Sequence, residues 1–258
     1  MKPILLLFLI INFTTFCRAQ VFDDFDDGNF SENPVWLGDD SLFTINIEKQ
    51  LQLNAATTGE AFLSLNYNKS DEMEWQFWIK EKFTPSANNY CDVYLYSDNV
   101  NLQTSNLAYI LRFGETGSND VIELLQLKDG QYTSICRGND TFIASSFSTS
   151  VKVTYDDSKK WNIYIDKNGE NCFLLECNGL NEDFSYLNGN AFFGFNCIYT
   201  NSNIKQFYFD DIYIGDIIVD SIAPELLVCD ITDDFHIKLE FSEAIEENSA
   251  LNIKNYYI

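Results

Sequence analysis

Apolar residues recur at every second position through most of this chain. In MEWQFWIKEKF, Met73, Trp75, Phe77, Ile79 and Phe83 share one parity while Glu74, Gln76, Lys80 and Lys82 share the other, the pattern of a half-buried strand. LFTINIE (42–48), YCDVYLYS (90–97), AYILRFG (108–114), VIELLQL (121–127), SVKVTY (150–155), WNIYIDK (161–167), AFFGFNCIY (191–199) and QFYFDDIYIG (206–215) read the same way. Turn-forming runs separate them: TPSANN, GETGSND, KDGQ, DDSKK and KNGEN. No segment of useful length has a helical period, beyond one turn expected around Asn181 to Tyr186, and there is no repeat at a period of about 20–50 residues. The predicted fold is all-β, an antiparallel sandwich.

The pattern changes at both ends. Lys2 precedes an apolar run from Ile4 to Phe13, and Cys17-Arg18-Ala19 follows with small residues at the positions a signal peptidase reads. Residues 1–19 are therefore expected to be a secretory signal peptide, because about ten apolar residues fall short of the roughly 20 that span a bilayer. Bulky Phe16 argues against a lipid-modified Cys17. The expected product is secreted or held at the cell surface, with no membrane insertion after signal removal. Near residue 216 the aromatic strand gives way to an Asp-Ser-Ile-Ala-Pro connector, and Pro224 favours an extended start to a new strand. Alternation resumes at FHIKLEF (235–241). About forty residues are too few for an independent sandwich, so this tail either packs on the first domain or opens a second one that it does not complete.

Composition narrows the partners. The 258 residues carry 16 Lys plus Arg against 39 Asp plus Glu, a formal charge of −23, and one His. Nucleic-acid binding needs basic groups to displace phosphate counterions, and this chain has no basic run. Anionic membranes would repel it. A hydrophobic fraction of 46%, with 16% aromatic residues, supplies a large core and excludes disorder as the meaning of the charge. Beyond Cys17 stand Cys91, Cys136, Cys172, Cys177, Cys197 and Cys229. An even number permits bridges, but the spacing selects none of the fifteen pairings, and Cys91 and Cys197 fit buried thiols equally well. There is no CxxC pair, and the single His lies apart from most cysteines, so metal binding by thiolates is the weaker reading.

Four segments together carry a family resemblance: FDDFDDGNFSENPVWLGDDSLFTIN, WQFWIK, FGETGSNDVIEL and FYFDDIYIG. Over residues 21–216 the chain resembles the laminin G-like or concanavalin A-like jelly rolls found at the start of large secreted proteins of Bacteroidetes-type bacteria. From Asp220 onward, DSIAPELL and KLEFSEAIEENSALNIKNYYI resemble the opening strands of an S-layer-type bacterial Ig-like domain. The resemblance implies a jelly-roll β-sandwich over 20–216, followed by an incomplete Ig-like β-sandwich over 217–258.

Candidate chemistry is sparse. Jelly-roll glycoside hydrolases carry paired catalytic acids in an ExDxxE arrangement, with carboxylates about 5 Å apart in retaining enzymes. The nearest match, Asp71-Glu72-Met73-Glu74-Trp75, is followed on the same face by Gln76 and Trp78, so no further acid completes it, and Glu72 and Glu74 are expected to be solvated strand-edge acids. HExxH, GxSxG and GxxxxGK[ST] are absent, and His236 reads as an outward polar position in the tail. No enzyme activity is expected. Calcium is the favoured ion: Asp23, Asp24, Asp26 and Asp27 begin the first strand, Asp210 and Asp211 lie in the last jelly-roll strand, and adjacent terminal strands would join them around a cation that takes six to eight oxygens. Asp24, Asp26 and Asp211 are the candidate ligands, against the ordinary turn chemistry of Asp26-Asp27-Gly28. A glycan platform is the second candidate, with Trp78, Tyr90, Tyr94, Tyr96 and Tyr109 as stacking surfaces, against burial of those rings in the core. The function expected is a non-catalytic exported recognition or adhesion module that contacts a glycan or a cell-surface protein. The alternative is an ancillary N-terminal region of a larger secreted enzyme.

Overall fold

The computed structural model describes residues 20–115, 120–169, 172–187, 189–219, 221, 223–233, 236–242, 245 and 250–255. The segment read as a signal peptide, the middle of GETGSND, Glu243 and Ala244 of FSEAI and the last three residues of NYYI lie outside them.

Seventeen strands are formed among the described residues: β1 (Val21–Asp23), β2 (Leu37–Gly38), β3 (Phe43–Ile45), β4 (Leu51–Leu53), β5 (Gly59–Asn68), β6 (Met73–Glu81), β7 (Tyr90–Ser97), β8 (Leu107–Phe113), β9 (Ile122–Lys128), β10 (Gln131–Arg137), β11 (Phe147–Tyr155), β12 (Lys160–Asp166), β13 (Leu174–Leu180), β14 (Asn190–Tyr199), β15 (Phe207–Gly215), β16 (Leu226–Asp233) and β17 (His236–Phe241). They build two antiparallel sheets. One has the order β13-β12-β11-β6-β15-β4-β3, with β1 also paired to β15; the other runs β10-β9-β8-β7-β14-β5-β2. β16 and β17 pair with each other as a separate two-stranded sheet.

The alternation read along β6 sets the packing. Met73, Trp75, Phe77 and Ile79 are buried between the sheets, whereas Gln76, Trp78 and Lys80 stand on the outer face of the eight-stranded sheet. Aromatic residues fill much of the interior. Trp161 stacks on Trp75 at 5.5 Å and on Tyr109 at 5.1 Å, and Phe184 meets Trp161 edge-on at 4.8 Å. Phe184 comes from a short 3-10 turn, Asp183–Tyr186, at the position where the sequence predicts one helical turn. Such ring pairs contribute about 0.5–1.5 kcal/mol each beyond the area they bury.

Turn residues fall where the strand directions require them. Asp129 and Gly130 adopt φ of 51° and 77°, the two-residue turn whose twist suits a hairpin, and join β9 to β10. Among the longer strands of the two large sheets, β5, β10 and β13 are absent from the segments whose alternation predicts strands. The outer side of β5 is covered, so Ala61 to Leu65 are buried on both faces and the alternation disappears; β10 is polar and largely exposed, so it has little apolar face to reveal. Glu74 departs from its expected solvation. It is buried, bonded by the Gln76 amide and, through Oε2, by the Ile218 amide at 3.3 Å, because the chain after β15 passes over it.

Candidate functional site

One line of residues crosses the outer face of the seven-stranded sheet in strict register. Phe62 of β5 faces Asn196 of β14, Asn196 faces Asp92 of β7, Asp92 faces Arg112 of β8, Arg112 faces Glu123 of β9, and Glu123 faces Arg137 of β10. Apart from Arg18, these two arginines are the only ones in the chain. In an acidic protein both therefore fall in one row, alternating in sign with Asp92 and Glu123. Opposite charges directly across neighbouring strands favour this register.

Arg112 is held from several sides. Its Nε donates to Asp92 Oδ1 at 2.7 Å and its Nη2 to Asp92 Oδ2 at 2.6 Å, while the guanidinium carbon lies 4.9 Å from the centre of the Tyr90 ring and 5.2 Å from that of Tyr132. Burial pushes the Asp92 carboxyl up, and the hydrogen bonds and charge of Arg112 pull it back. On Arg112, burial works against the cation, but Asp92 outweighs it and holds the guanidinium charged. Beyond Asp92, Asn196 Nδ2 donates to Glu60 Oε1 at 2.8 Å, and Gln103 Nε2 donates to Asn196 Oδ1 at 3.3 Å. At the other end, Arg137 pairs with Glu115 at 2.8 Å and with Glu123 at 3.6 Å.

A second, smaller apolar cluster closes the neighbouring part of this face. Phe62, Tyr94, Ala108, Ile110, Leu125 and Leu127 are covered by Leu102, which the 3-10 turn Leu102–Thr104 brings down onto the sheet; the Asn101 side chain caps that turn by accepting from the Gln103 amide. Gly194 makes room, since a Cβ there would lie 3.0 Å from Leu102 Cδ1 and closer still to the β5 backbone. A dry apolar wall thus stands beside a polar row whose middle, Asn196 and Asp92, is buried and whose flanks reach solvent. Tyr132 is 50% exposed, Tyr90 and Arg112 are partly exposed, and Glu60 and Gln103 are open to solvent. The arrangement offers aromatic faces, carboxylate acceptors and amide donors at fixed positions, the equipment for binding a hydroxyl-rich ring.

The aromatic residues selected from the sequence are not gathered on one surface. Trp78 stands on the outer face of the opposite sheet, between Ser150 and Asp210. Tyr94 is on the face described here but is sealed under the Leu102 cluster. Tyr96 and Tyr109 are in the central core, edge-on to one another at 6.3 Å. A bulge between Tyr94 and Tyr96 breaks the period of two and turns Tyr96 inward. Of that set, Tyr90 borders the polar row.

The acidic candidates do come near each other. β1 pairs with β15, with Asp23 opposite Ile212, as adjacent terminal strands require. A bulge between Asp210 and Tyr213 lifts this part of β15, and Asp211 takes φ of 52°. Burial first, then Asp211, Asp24 and Asp26, push the Asp210 carboxyl up to about 7; burial, Asp24 and Asp26 also raise Asp211. Their oxygens are turned to local tasks. Asp24 Oδ1 accepts from the Asp26 amide at 3.1 Å, Asp210 Oδ1 accepts from the Asp211 amide at 2.9 Å, and Lys49 Nζ donates to the Asp26 carbonyl at 3.1 Å. Among the described residues no three His, Cys, Asp or Glu side chains converge as a metal site.

No protein-family model and no curated protein matches this chain. Solved structures do. The metal-free carbohydrate recognition domain of Emp46p is 12% identical, with a TM-score of 0.56 over 78% of this chain and 97% of that one. Lectin UEA-II complexed with galactose is 9% identical, TM-score 0.54, over 77% and 99%; metal-free lectin I-B4 from Griffonia simplicifolia is 11% identical, TM-score 0.53, over 76% and 98%. The chain has the antiparallel jelly-roll sandwich of these lectins. Fold alone does not carry their ligands or residue roles to this protein.

Proposed function

We propose that this protein is a non-catalytic, exported glycan-binding module that receives an uncharged saccharide over the buried Asn196–Asp92 pair, against the accessible Glu60, Gln103 and Arg112, with Tyr132 and Tyr90 as its aromatic border. The observation that carries this reading is the clamped Arg112. A guanidinium fixed by a two-pronged bond to Asp92 and by two tyrosine rings needs no reordering when a ligand arrives, which removes a main cost of binding. The lectin-like fold supports the same reading. Charge supports a neutral ligand: Glu60, Asp92, Glu115 and Glu123 outnumber Arg112 and Arg137, so uronic or sulfated sugars meet net repulsion.

A glycan array probed with the full chain, followed by calorimetry on the best neutral hits, tests it. Tyr132→Ala, an exposed position whose loss leaves the core intact, is expected to weaken binding about tenfold, or ~1.4 kcal/mol. Lack of any neutral glycan bound at millimolar concentration, or unchanged affinity in Tyr132→Ala, would overturn the assignment.

A further inference from the structure

β10 and β13 are the outermost strands of different sheets, and they meet along one side of the sandwich. Gly179 of β13 lies so close to β10 that a Cβ there would stand 2.3 Å from the Ile135 carbonyl oxygen. Further along, Glu176 on β13 receives the Asn139 amide at 2.5 Å and its side-chain Nδ2 at 3.1 Å. Between these two ties, Cys136 and Cys177 face each other, Sγ to Sγ at 2.7 Å.

We propose that Cys136 and Cys177 form a disulfide that staples the margins of the two sheets. The strands already hold the two side chains against each other, so the bond needs no rearrangement of the backbone. A second pair of thiols is also in contact, but in another setting, and Cys172 lies partly exposed just before β13. Cys91 and Cys197 are opposite one another on β7 and β14 inside the core, and Cys229 is exposed on the β16–β17 hairpin.

The oxidant required is a low-molecular-weight disulfide such as glutathione disulfide. The thiolate of Cys177, the more accessible of the two, attacks one glutathione sulfur and expels the first glutathione thiolate. Cys136, after losing its proton, attacks the Cys177 sulfur of the mixed disulfide and expels the second. Two protein thiols and one glutathione disulfide become one protein disulfide and two glutathiones, so electrons and protons balance. Because β10 carries Tyr132 and Arg137, the staple also fixes one wall of the polar row, but the bond itself is independent of what that row binds.

The test is peptide mapping of the full chain after equilibration with glutathione disulfide, trapped by alkylation in denaturant without reductant. The expected result is one linked pair containing Cys136 and Cys177, two hydrogen masses lighter than the separate peptides. Reduction should lower the thermal midpoint by roughly 10 °C, the shift expected for opening a loop of this size. The double variant C136S/C177S should show no such redox-dependent shift. Alkylation of both thiols in the glutathione-treated protein, a link from either to Cys172 or Cys229, or the same midpoint shift in C136S/C177S would overturn the assignment.

Discussion

Arg112 and Asp92 face one another across β8 and β7 in a two-pronged hydrogen bond, with the Asp92 side chain only 4% exposed. That carboxylate has given up its water, and the planar guanidinium replaces it with two directed donors. The net gain of such a pair over two apolar residues is small, because desolvation nearly cancels the attraction. What it gives is position: a fixed cation and two fixed tyrosine faces on the outer side of a sheet. Removing one member alone is a different matter.

Arg112→Ala is expected to destabilise the protein by about 3–5 kcal/mol, since it leaves Asp92 buried and unpaired. Urea unfolding followed by tryptophan fluorescence measures this. A loss below ~1 kcal/mol would show that water reaches Asp92 once the guanidinium is gone.

Glu81 is fully buried on β6, neither of its carboxylate oxygens has a hydrogen-bond partner, and Asp120 adds repulsion. Burial above all, then Asp120, hold its pKa well above the usual carboxylate range. The folded protein therefore keeps a proton that the unfolded chain releases near pH 4–5 (roughly). Across the window from that value up to the folded pKa, stability falls as pH rises, by about 1.4 kcal/mol per pH unit. Glu81→Gln cannot ionise, so urea unfolding from pH 5 to 8 should show its stability advantage over the parent growing with pH. A constant difference across that range would contradict a protonated Glu81.

Asp210 offers a milder case with the same sign. Its carboxyl titrates at about 7 in the fold, against the ordinary value near 3.8, so its stabilising contribution is whole below the lower value and lost as pH passes the upper. Asp210→Asn is expected to raise the thermal midpoint at pH 8 and leave it unchanged at about pH 3.5. Because no three acidic side chains converge as a metal site among the described residues, millimolar calcium is expected to leave the midpoint of the parent unchanged. A calcium-dependent rise that Asp211→Asn abolishes would instead place a cation there.

Leu102, almost fully buried on Gly194, holds the loop after β7 against the outer face of the sheet. Truncation by Leu102→Ala should cost about 2–5 kcal/mol and speed amide hydrogen exchange in residues 98–106. Protection equal to that of the parent would mean that the polar bonds of the loop, among them the Ser97 hydroxyl to the Asn99 carbonyl at 2.7 Å, suffice without the apolar seat.

The candidate site was only partly legible in the chain. Arg112 was visible as the lone cation in AYILRFG, at the polar parity of an otherwise apolar strand, and that signal was available. Its partners were not. Asn196 and Glu60 are 136 residues apart in sequence, and Tyr132 sits on β10, whose exposure hid it from periodicity. Tyr94, Tyr96 and Tyr109 looked equivalent as aromatic residues in strands, but a covering loop buried Tyr94, a bulge turned Tyr96 inward, and Tyr109 falls at the inward parity of β8 with Leu111 and Phe113. Glu74 read as solvated because nothing local shows that the chain near Ile218 returns over it.

The all-β class, the positions of most long strands and several turns follow from the order of residues alone, because alternation and turn chemistry are local, set by side-chain parity and by φ preferences over a few residues. Which strands become neighbours, where a bulge reverses parity, which aromatic ring meets solvent, and which cysteines come together emerge only from the assembled sheets. Those depend on register between strands far apart in the chain, and a register slip of one residue exchanges the core face for the outer one.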